Sequence, residues 1–126
     1  MQPDRAAARR LTADARVRRG RRGETVAAWM LRLRGYRVLG RRVRTPAAEV
    51  DLLCRRGDTL VLVEVKRRRD GGRGTARESL GIRQRERLTR AAAWLEPRHP
   101  WARTVRVDLV AIDGHRVRLV RHVELS

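Results

Sequence analysis

The sequence predicts an α/β fold in which helices flank a central mixed β-sheet, with the element order α-β-β-β-α-β-β. Two stretches have the apolar spacing of amphipathic helices, and the stretches around them have the pattern of strands. Gly57-Asp58 and Asp113-Gly114 are turn signals that predict two hairpins. A length of 126 residues suits one domain with one core. We assign that domain to residues 21–126. Residues 1–20 are interpreted as a basic, mobile N-terminal arm, which either helps to hold a phosphate backbone or is a solvated extension.

The first helix is predicted over Glu24–Arg34 and ends at Gly35, a residue suited to a helix C-terminus. Its apolar residues recur at the i, i+3, i+4 and i+7 spacing and are Val26, Trp29, Met30 and Leu33. Glu24 lies in the first turn, where a carboxylate stabilises the helix dipole. The alternative is that Glu24 leans towards the acidic residues of a later hairpin. A first strand is predicted over Tyr36–Arg44, between this helix and that hairpin.

A β-hairpin over Glu49–Lys66 carries the candidate chemistry. A two-residue turn at Gly57-Asp58 would fix the register of its strands. The facing pairs predicted by this turn are Asp51 with Glu64, Glu49 with Lys66 and Leu53 with Leu62. The opposite face is wholly apolar and consists of Val50, Leu52, Cys54, Val61, Val63 and Val65. We therefore expect a core against that face.

Asp51 and Glu64 predict a divalent-cation site, because directly opposed carboxylates destabilise a sheet unless something neutralises them. Mg²⁺ and Mn²⁺ take oxygen ligands, often one or two carboxylates plus water and substrate phosphate. Lys66 lies two residues from Glu64 on the same face, where it can orient a water or stabilise charge on a phosphate. It is the one lysine among 32 basic residues, and an ammonium is not interchangeable with a guanidinium. The alternative is an ordinary strand-end lysine paired with Glu49.

The second helix is predicted over Leu80–Leu95. Its core stripe consists of Leu88, Ala91, Ala92 and Leu95. Two strands are predicted beyond it, over Thr104–Ile112 and Arg116–Val123. Arg106 and Asp108 alternate on the first of these strands, and we expect them to form a structural ion pair.

Five short motifs, in a fixed order and spacing, connect the chain to a known family. They are Gly23-Glu24, Gly35-Tyr36, Glu49-Val50-Asp51-Leu52, Val63-Glu64-Val65-Lys66 and Arg106-Val107-Asp108-Leu109-Val110. They resemble the YraN family of bacterial proteins over the stretch from Gly20 to Ile112. The fold of that family is similar to that of the restriction-endonuclease-like PD-(D/E)xK nucleases and, among them, of Holliday-junction resolvases.

The resemblance implies a nuclease-like active site on the hairpin. The implied metal ligands are Asp51, Glu64 and the main-chain carbonyl of Val65, and the implied catalytic residues are Lys66, Glu49 and Glu24. Two positions depart from the family pattern. Ala48 stands where the family usually has Gly, which alters a turn or bulge. Gln84 stands where it usually has Lys on the second helix, although a helix glutamine near the site also occurs in related nucleases.

The net charge of +18 and the isoelectric point near 11.9 predict a polyanionic partner, most readily nucleic acid, with DNA favoured over RNA. An Arg-rich surface inherited from coding bias is the alternative. Three Trp, one Tyr and no Phe disfavour a base-stacking platform and favour recognition of the backbone. The Gly-rich basic loop after Lys66 predicts either a flap over nucleic acid or a plain connector. The residues assigned to nucleic-acid contacts are Arg67, Arg68, Arg69, Arg73, Gln84 and Arg85.

Cysteine, histidine and hydropathy patterns disfavour other classes of site. The single cysteine, Cys54, provides neither a disulfide nor a thiolate metal centre and is expected in the core. The three histidines show no ligand spacing. No apolar run is long enough for a membrane-spanning helix or a signal-peptide core, so we expect a cytoplasmic protein that does not bind a membrane.

The residues and the resemblance together indicate a Mg²⁺- or Mn²⁺-dependent endonuclease that hydrolyses DNA phosphodiesters, on branched or otherwise structured DNA. Two alternatives stay open at this point. One is a non-catalytic nucleic-acid-binding module, and the other is a basic accessory protein of a ribonucleoprotein. Resolvase-like action on a four-way junction would require two sites and hence a homodimer.

Overall fold

The computed structural model describes residues 23–68 and 81–121, and it contains the predicted elements in the predicted order. The first helix, α1, spans residues 23–33. The strands are β1 (Arg37–Arg44), β2 (Glu49–Arg56), β3 (Thr59–Arg68), β4 (Thr104–Asp113) and β5 (Arg116–Val120). The second helix, α2 (Ile82–Leu95), continues into a 3₁₀ turn at Glu96–Arg98. The predicted arm over residues 1–20 and the glycines of the loop after β3 lie outside the described residues.

The five strands form one mixed sheet in the order β1-β2-β3-β4-β5. The pair β3 and β4 is parallel, and the other neighbours are antiparallel. Parallel neighbours need a crossover connection, and the one here contains α2. The predicted α/β architecture, a mixed sheet with helices against it, is confirmed.

Both predicted hairpin turns are present. Gly57 and Gly114 have φ values of +61° and +58°, a left-handed conformation that glycine adopts without steric cost. Leu53 faces Leu62 across the first hairpin, which confirms the predicted register of β2 and β3.

The two strands of the first hairpin separate before they end. Their ladder stops at the pair Leu52 and Val63. From there β2 stays paired with β1, while β3 stays paired with β4. We call the point of separation the fork and define it by Asp51 on β2 and Glu64 on β3, the residues that follow the last ladder pair. The fork frees main-chain groups from regular pairing, so side chains can take over their hydrogen bonds.

The buried face of α1 differs from the expected stripe. The residues buried against the sheet are Ala27, Ala28 and Leu31, with Met30 partly buried. The exposed ones are Val26, Trp29 and Leu33, at 45%, 60% and 85% exposure. Glu24 shares the i, i+3, i+4 and i+7 spacing of the buried set and is only 7% exposed. Small alanine side chains let a helix approach a sheet closely, so the face with less apolar bulk packs inward and takes Glu24 with it.

Core residues cover both faces of the sheet. On the α1 side they include Leu52, Cys54, Val61, Val63 and Val110, and on the α2 side Leu53, Leu60, Leu62, Leu88, Ala91 and Leu95. The stripe predicted for α2 is confirmed, although Ala92 is only partly buried. Val50, which was expected on the same face as Leu52 and Cys54, packs with the core on the α2 side. Burial raises the pKa of Cys54 to about 12, which makes this core thiol unreactive.

The helices of the described part of the chain were compared with the requirements for spanning a membrane. Within residues 23–68 and 81–121, neither helix combines the length and the apolar composition needed to cross a bilayer.

Candidate metal and catalytic site

Asp51 is fixed at the fork by the main chain of the neighbouring strand. The amide of Val65 donates a 2.8 Å hydrogen bond to Oδ2 of Asp51. A side chain thus replaces the ladder carbonyl that β2 no longer provides. The carboxyl group of Asp51 is therefore positioned by backbone geometry and not by a flexible partner, as a site residue requires.

Glu64 is held from two directions. Gln84, in the first turn of α2, donates from Nε2 to Oε1 of Glu64 at 2.6 Å. The carboxyl groups of Glu64 and Asp51 hydrogen-bond to each other. Gln84 was assigned to nucleic-acid contact from the sequence, and the structure places it as the residue that orients Glu64.

Both carboxyl groups of the fork have raised pKa values. Burial and the nearby charge of Asp51 raise the pKa of Glu64 to about 8. Burial also raises the pKa of Asp51, and the carboxylates of Glu24 and Glu49 add to that rise. Ionising both of these neighbouring carboxyl groups costs free energy, because their negative charges repel each other. The pair therefore shares one proton near neutral pH.

Lys66 follows Glu64 by two residues, and strand alternation puts both on the same face. The positive charge of Lys66 lowers the pKa of Glu64 against the effect of burial. The pairing with Glu49 that the hairpin register predicted lies beyond the end of the β2–β3 ladder. The lysine is thus placed beside the carboxyl pair and half-buried.

Glu24 reaches the neighbourhood of the fork from α1 but faces β1. Nε of Arg42 lies 3.0 and 3.2 Å from its two carboxylate oxygens. Nη2 of Arg41 is 3.9 Å from Oε2 of Glu24 and donates to Oγ1 of Thr25 at 2.8 Å. The predicted helix-borne acid is therefore present, near enough to act on the pKa of Asp51, and is neutralised by arginine.

Glu49 lies at the start of β2, on the exposed rim of the site. Its side chain is 48% exposed and forms a 3.9 Å ion pair with Arg44. An ion pair so exposed contributes little stability. Glu49 contributes negative potential at Asp51 rather than a contact to it.

The donor chemistry fits a hard divalent cation held by few protein ligands. Among the described residues, no group of three or more His, Cys, Asp or Glu side chains is arranged to hold a metal. Asp51 and Glu64 offer two adjacent carboxyls, a number that Mg²⁺ commonly accepts while it keeps several waters. These two residues, with the Val65 carbonyl as the third expected ligand, would hold the ion.

The residues expected to contact nucleic acid are spread around this site. Arg67 is exposed and directly follows Lys66 on β3, which ends at Arg68. Arg85 follows Gln84 in α2. Arg69 and Arg73 lie outside the described residues, so their predicted role has no structural counterpart here.

Arg42 is a site residue that sequence reasoning missed. It is the one non-glycine residue with positive φ, +50°, among the described residues. Arginine has no preference for that conformation, and no pattern in the sequence signals it. The structure also shows β1 to be irregular near this residue, because its register against β2 shifts between Val38 and Gly40.

A second polar network lies inside the sheet. Arg106 and Asp108 form the predicted ion pair, with Nε 3.1 Å from Oδ1. Tyr36 completes it, since its hydroxyl donates to Oδ2 of Asp108 at 2.8 Å and accepts from Nη2 of Arg106 at 2.7 Å. Asp108 is fully buried. Because the partners of this buried charge are in place, we interpret the network as a structural one.

Fold and site together define an α/β protein built on a mixed five-stranded sheet, with an acidic pair where two antiparallel strands separate. Residues 23–112 match the model of the Uncharacterised protein family UPF0102, and the chain belongs to that family. Similar proteins include UPF0102 proteins of Parvibaculum lavamentivorans, 49% identical over 83% of this chain and 79% of the relative, and of Chelativorans sp., 44% identical over 85% and 86%. A third, from Halorhodospira halophila, is 47% identical over 82% and 84%. The family resemblance predicted from the motifs is confirmed.

Proposed function

We propose that this protein is a Mg²⁺- or Mn²⁺-dependent endonuclease that hydrolyses phosphodiester bonds in DNA, on branched or otherwise structured substrates. The observation that carries the proposal is the fork. Two carboxyl groups are held in hydrogen-bond contact there by Val65 and Gln84, with a lysine beside them on the same strand face. Like charges that face each other destabilise a sheet, so such carboxyl pairs are rare in proteins. The presence of one here supports a bound cation and a reaction that uses it.

Each residue of the site has a distinct task in that reaction. Asp51 and Glu64 bind the cation, and their orientation is set in advance by the Val65 amide and by Gln84. A divalent cation held by these two residues would supply Lewis-acid stabilisation to the phosphate and would activate water. Lys66 places a positive charge where negative charge develops on the transferred phosphoryl oxygens.

The charge of the chain supports nucleic acid as the substrate. The net charge of +18 provides a long-range attraction for a polyanion. Arg67 and Arg85 continue that charge along β3 and α2, next to the fork. Binding that depends on such contacts weakens steeply as salt rises, because counterions are released from the phosphates.

A cleavage panel tests the proposal. Labelled single strand, duplex, flap, four-way junction and structured RNA are incubated with Mg²⁺, Mn²⁺ or EDTA. Asp51→Asn is compared with Asp58→Asn, which makes the same chemical change at the exposed turn of the same hairpin. We expect metal-dependent cleavage by wild type and Asp58→Asn and none by Asp51→Asn. Equal activity of the three proteins would refute the assignment of the site.

Binding without cleavage is the second candidate function. It is favoured by one observation: Glu24 is paired with Arg42 and Glu49 lies on the exposed rim, which leaves two carboxyls at the fork. In that case wild type and Asp51→Asn bind the panel equally and neither cleaves it. A preference for the structured RNA over every DNA would identify a ribonucleoprotein accessory protein.

A further inference from the structure

Arg42 occupies a backbone conformation that needs an explanation. Its neighbours on β1, Arg41 and Val43, face Leu52 and Val50 on β2, so Arg42 lies level with Asp51. Its φ of +50° is rare for a residue other than glycine. Strained backbone of this kind persists where surrounding contacts hold it, and it clusters at functional sites.

The contact that accompanies the strain is with Glu24. The Nε–H of Arg42 is shared between both carboxylate oxygens, at 3.0 and 3.2 Å. The Glu24 side chain is 10% exposed, so this arginine is the counter-charge of a nearly buried acid. Arg41 adds positive charge at 3.9 Å from the same carboxylate.

Glu24 is the acid that would be needed for a second metal ion. In two-metal sites the ions lie about 3.5–4 Å apart and each needs its own oxygen ligands. Asp51 and Glu64 bond to each other, Asp51 also accepts from the Val65 amide and Glu64 from Gln84, whereas Glu24 acts on Asp51 through its charge. The guanidinium of Arg42 already lies where a cation would contact both oxygens of Glu24.

We propose that Arg42 takes the place of a second cation, so that the fork binds a single divalent ion through Asp51 and Glu64. Arg42 and Glu24 are then positioning residues that set the charge beside the ion and do not ligate it. This inference rests on the proposed function, because it specifies the metal content of that same site. Its test therefore counts bound ions and does not depend on cleavage.

The number of bound Mn²⁺ ions per chain is measured by calorimetric titration and by electron paramagnetic resonance of free Mn²⁺. Wild type is expected to bind one ion. Arg42→Asn is expected to bind two, because asparagine tolerates positive φ and carries no charge to neutralise Glu24. Arg37→Asn, which removes an exposed arginine from the same strand, is the matched control and should bind one.

Two further variants separate a charge effect from a folding effect. Adding Glu24→Gln to Arg42→Asn should return the count from two to one, since the carboxylate that holds the second ion is gone. Glu24→Gln alone should keep one ion. If Arg42→Asn does not fold, Arg42→Gly, which also tolerates positive φ and carries no charge, is measured in its place.

Three results would overturn the inference. Two ions in wild type, or one in a folded Arg42→Asn, would show that Arg42 does not exclude a second cation. Loss of the ion in Glu24→Gln would show that Glu24 is a ligand of the first. These outcomes leave the proposed nuclease intact, whereas a wild type that binds no ion removes the proposed function and the inference with it.

Discussion

Replacing Asp51 by asparagine should stabilise the metal-free protein at alkaline pH. The same change should abolish the proposed metal-dependent cleavage. The pKa of Glu64 is raised to about 8, first by burial and then by the charge of Asp51. A carboxyl whose pKa is higher in the folded state contributes its full stability below its unfolded pKa and loses it as pH rises through the folded value. The stability of wild type without metal should therefore fall between pH 5 and pH 8 and level off above.

The magnitude follows from the linkage between pKa and free energy. Each pKa unit corresponds to about 1.4 kcal/mol, so a rise from 4.5 to about 8 sets an upper limit of about 5 kcal/mol. Asparagine removes the charge of Asp51 but leaves Glu64 buried, so only part of that free energy is regained. It also keeps an oxygen to accept the Val65 amide. We expect Asp51→Asn to gain about 1–2 kcal/mol at pH 9, and less at pH 5.5 where Glu64 is protonated.

Urea unfolding in EDTA at pH 5.5, 7 and 9 measures this change. The expected gain at pH 9 corresponds to a midpoint shift of about 0.5–1 M. Asp58→Asn, at the exposed turn, should shift the midpoint equally at every pH. A variant that is no more stable than wild type at pH 9, or whose gain does not depend on pH, would refute the account of the carboxyl pair.

Three other substitutions test separate parts of the structure. Lys66→Arg should lower the cleavage rate at least about 100-fold while DNA affinity is retained, because a guanidinium cannot replace the ammonium at one oxygen; activity close to wild type in single-turnover assays would contradict this role. Tyr36→Phe should lower the free energy of unfolding by about 1–3 kcal/mol, since it removes the hydroxyl that donates to buried Asp108 and accepts from Arg106, and thermal denaturation that is unchanged would contradict the network. Leu31→Ala should cost about 2–5 kcal/mol, whereas Leu33→Ala, two residues further along the same helix and 85% exposed, should stay within about 0.5 kcal/mol. The reverse ranking in chemical denaturation would contradict the observed orientation of α1.

The first hairpin shows what can be predicted from sequence. Period-two alternation and the Gly57-Asp58 turn are local signals, and together they set the register of Leu53 against Leu62. They also bring Asp51 and Glu64 to the same place along the hairpin. What they do not contain is the separation of the strands, because that depends on how β2 pairs with β1 and β3 with β4 on their outer edges, and the β3–β4 pairing joins segments far apart along the chain.

The orientation of α1 and the conformation of Arg42 could not be predicted for a different reason. Two stripes offset by two residues both satisfy helical spacing, and apolar size favours the one with Trp29. Packing distance against the sheet selects the one with Ala27 and Ala28. Similarly, Arg42 at positive φ follows from the buried charge of Glu24 across the interface, and a tertiary contact of that kind leaves no local pattern.

The replacement of a ladder carbonyl by the Asp51 carboxylate gives the molecule a built-in spectroscopic reporter. The Val65 amide proton is bonded to a group whose charge changes with protonation and with cation binding. Its chemical shift and its hydrogen-exchange rate should follow the state of the carboxyl pair, while neighbouring amides of β3 that are paired with β4 remain constant. A single backbone resonance can therefore be used to follow the occupancy of the site in solution, without a substrate and without a label on any side chain.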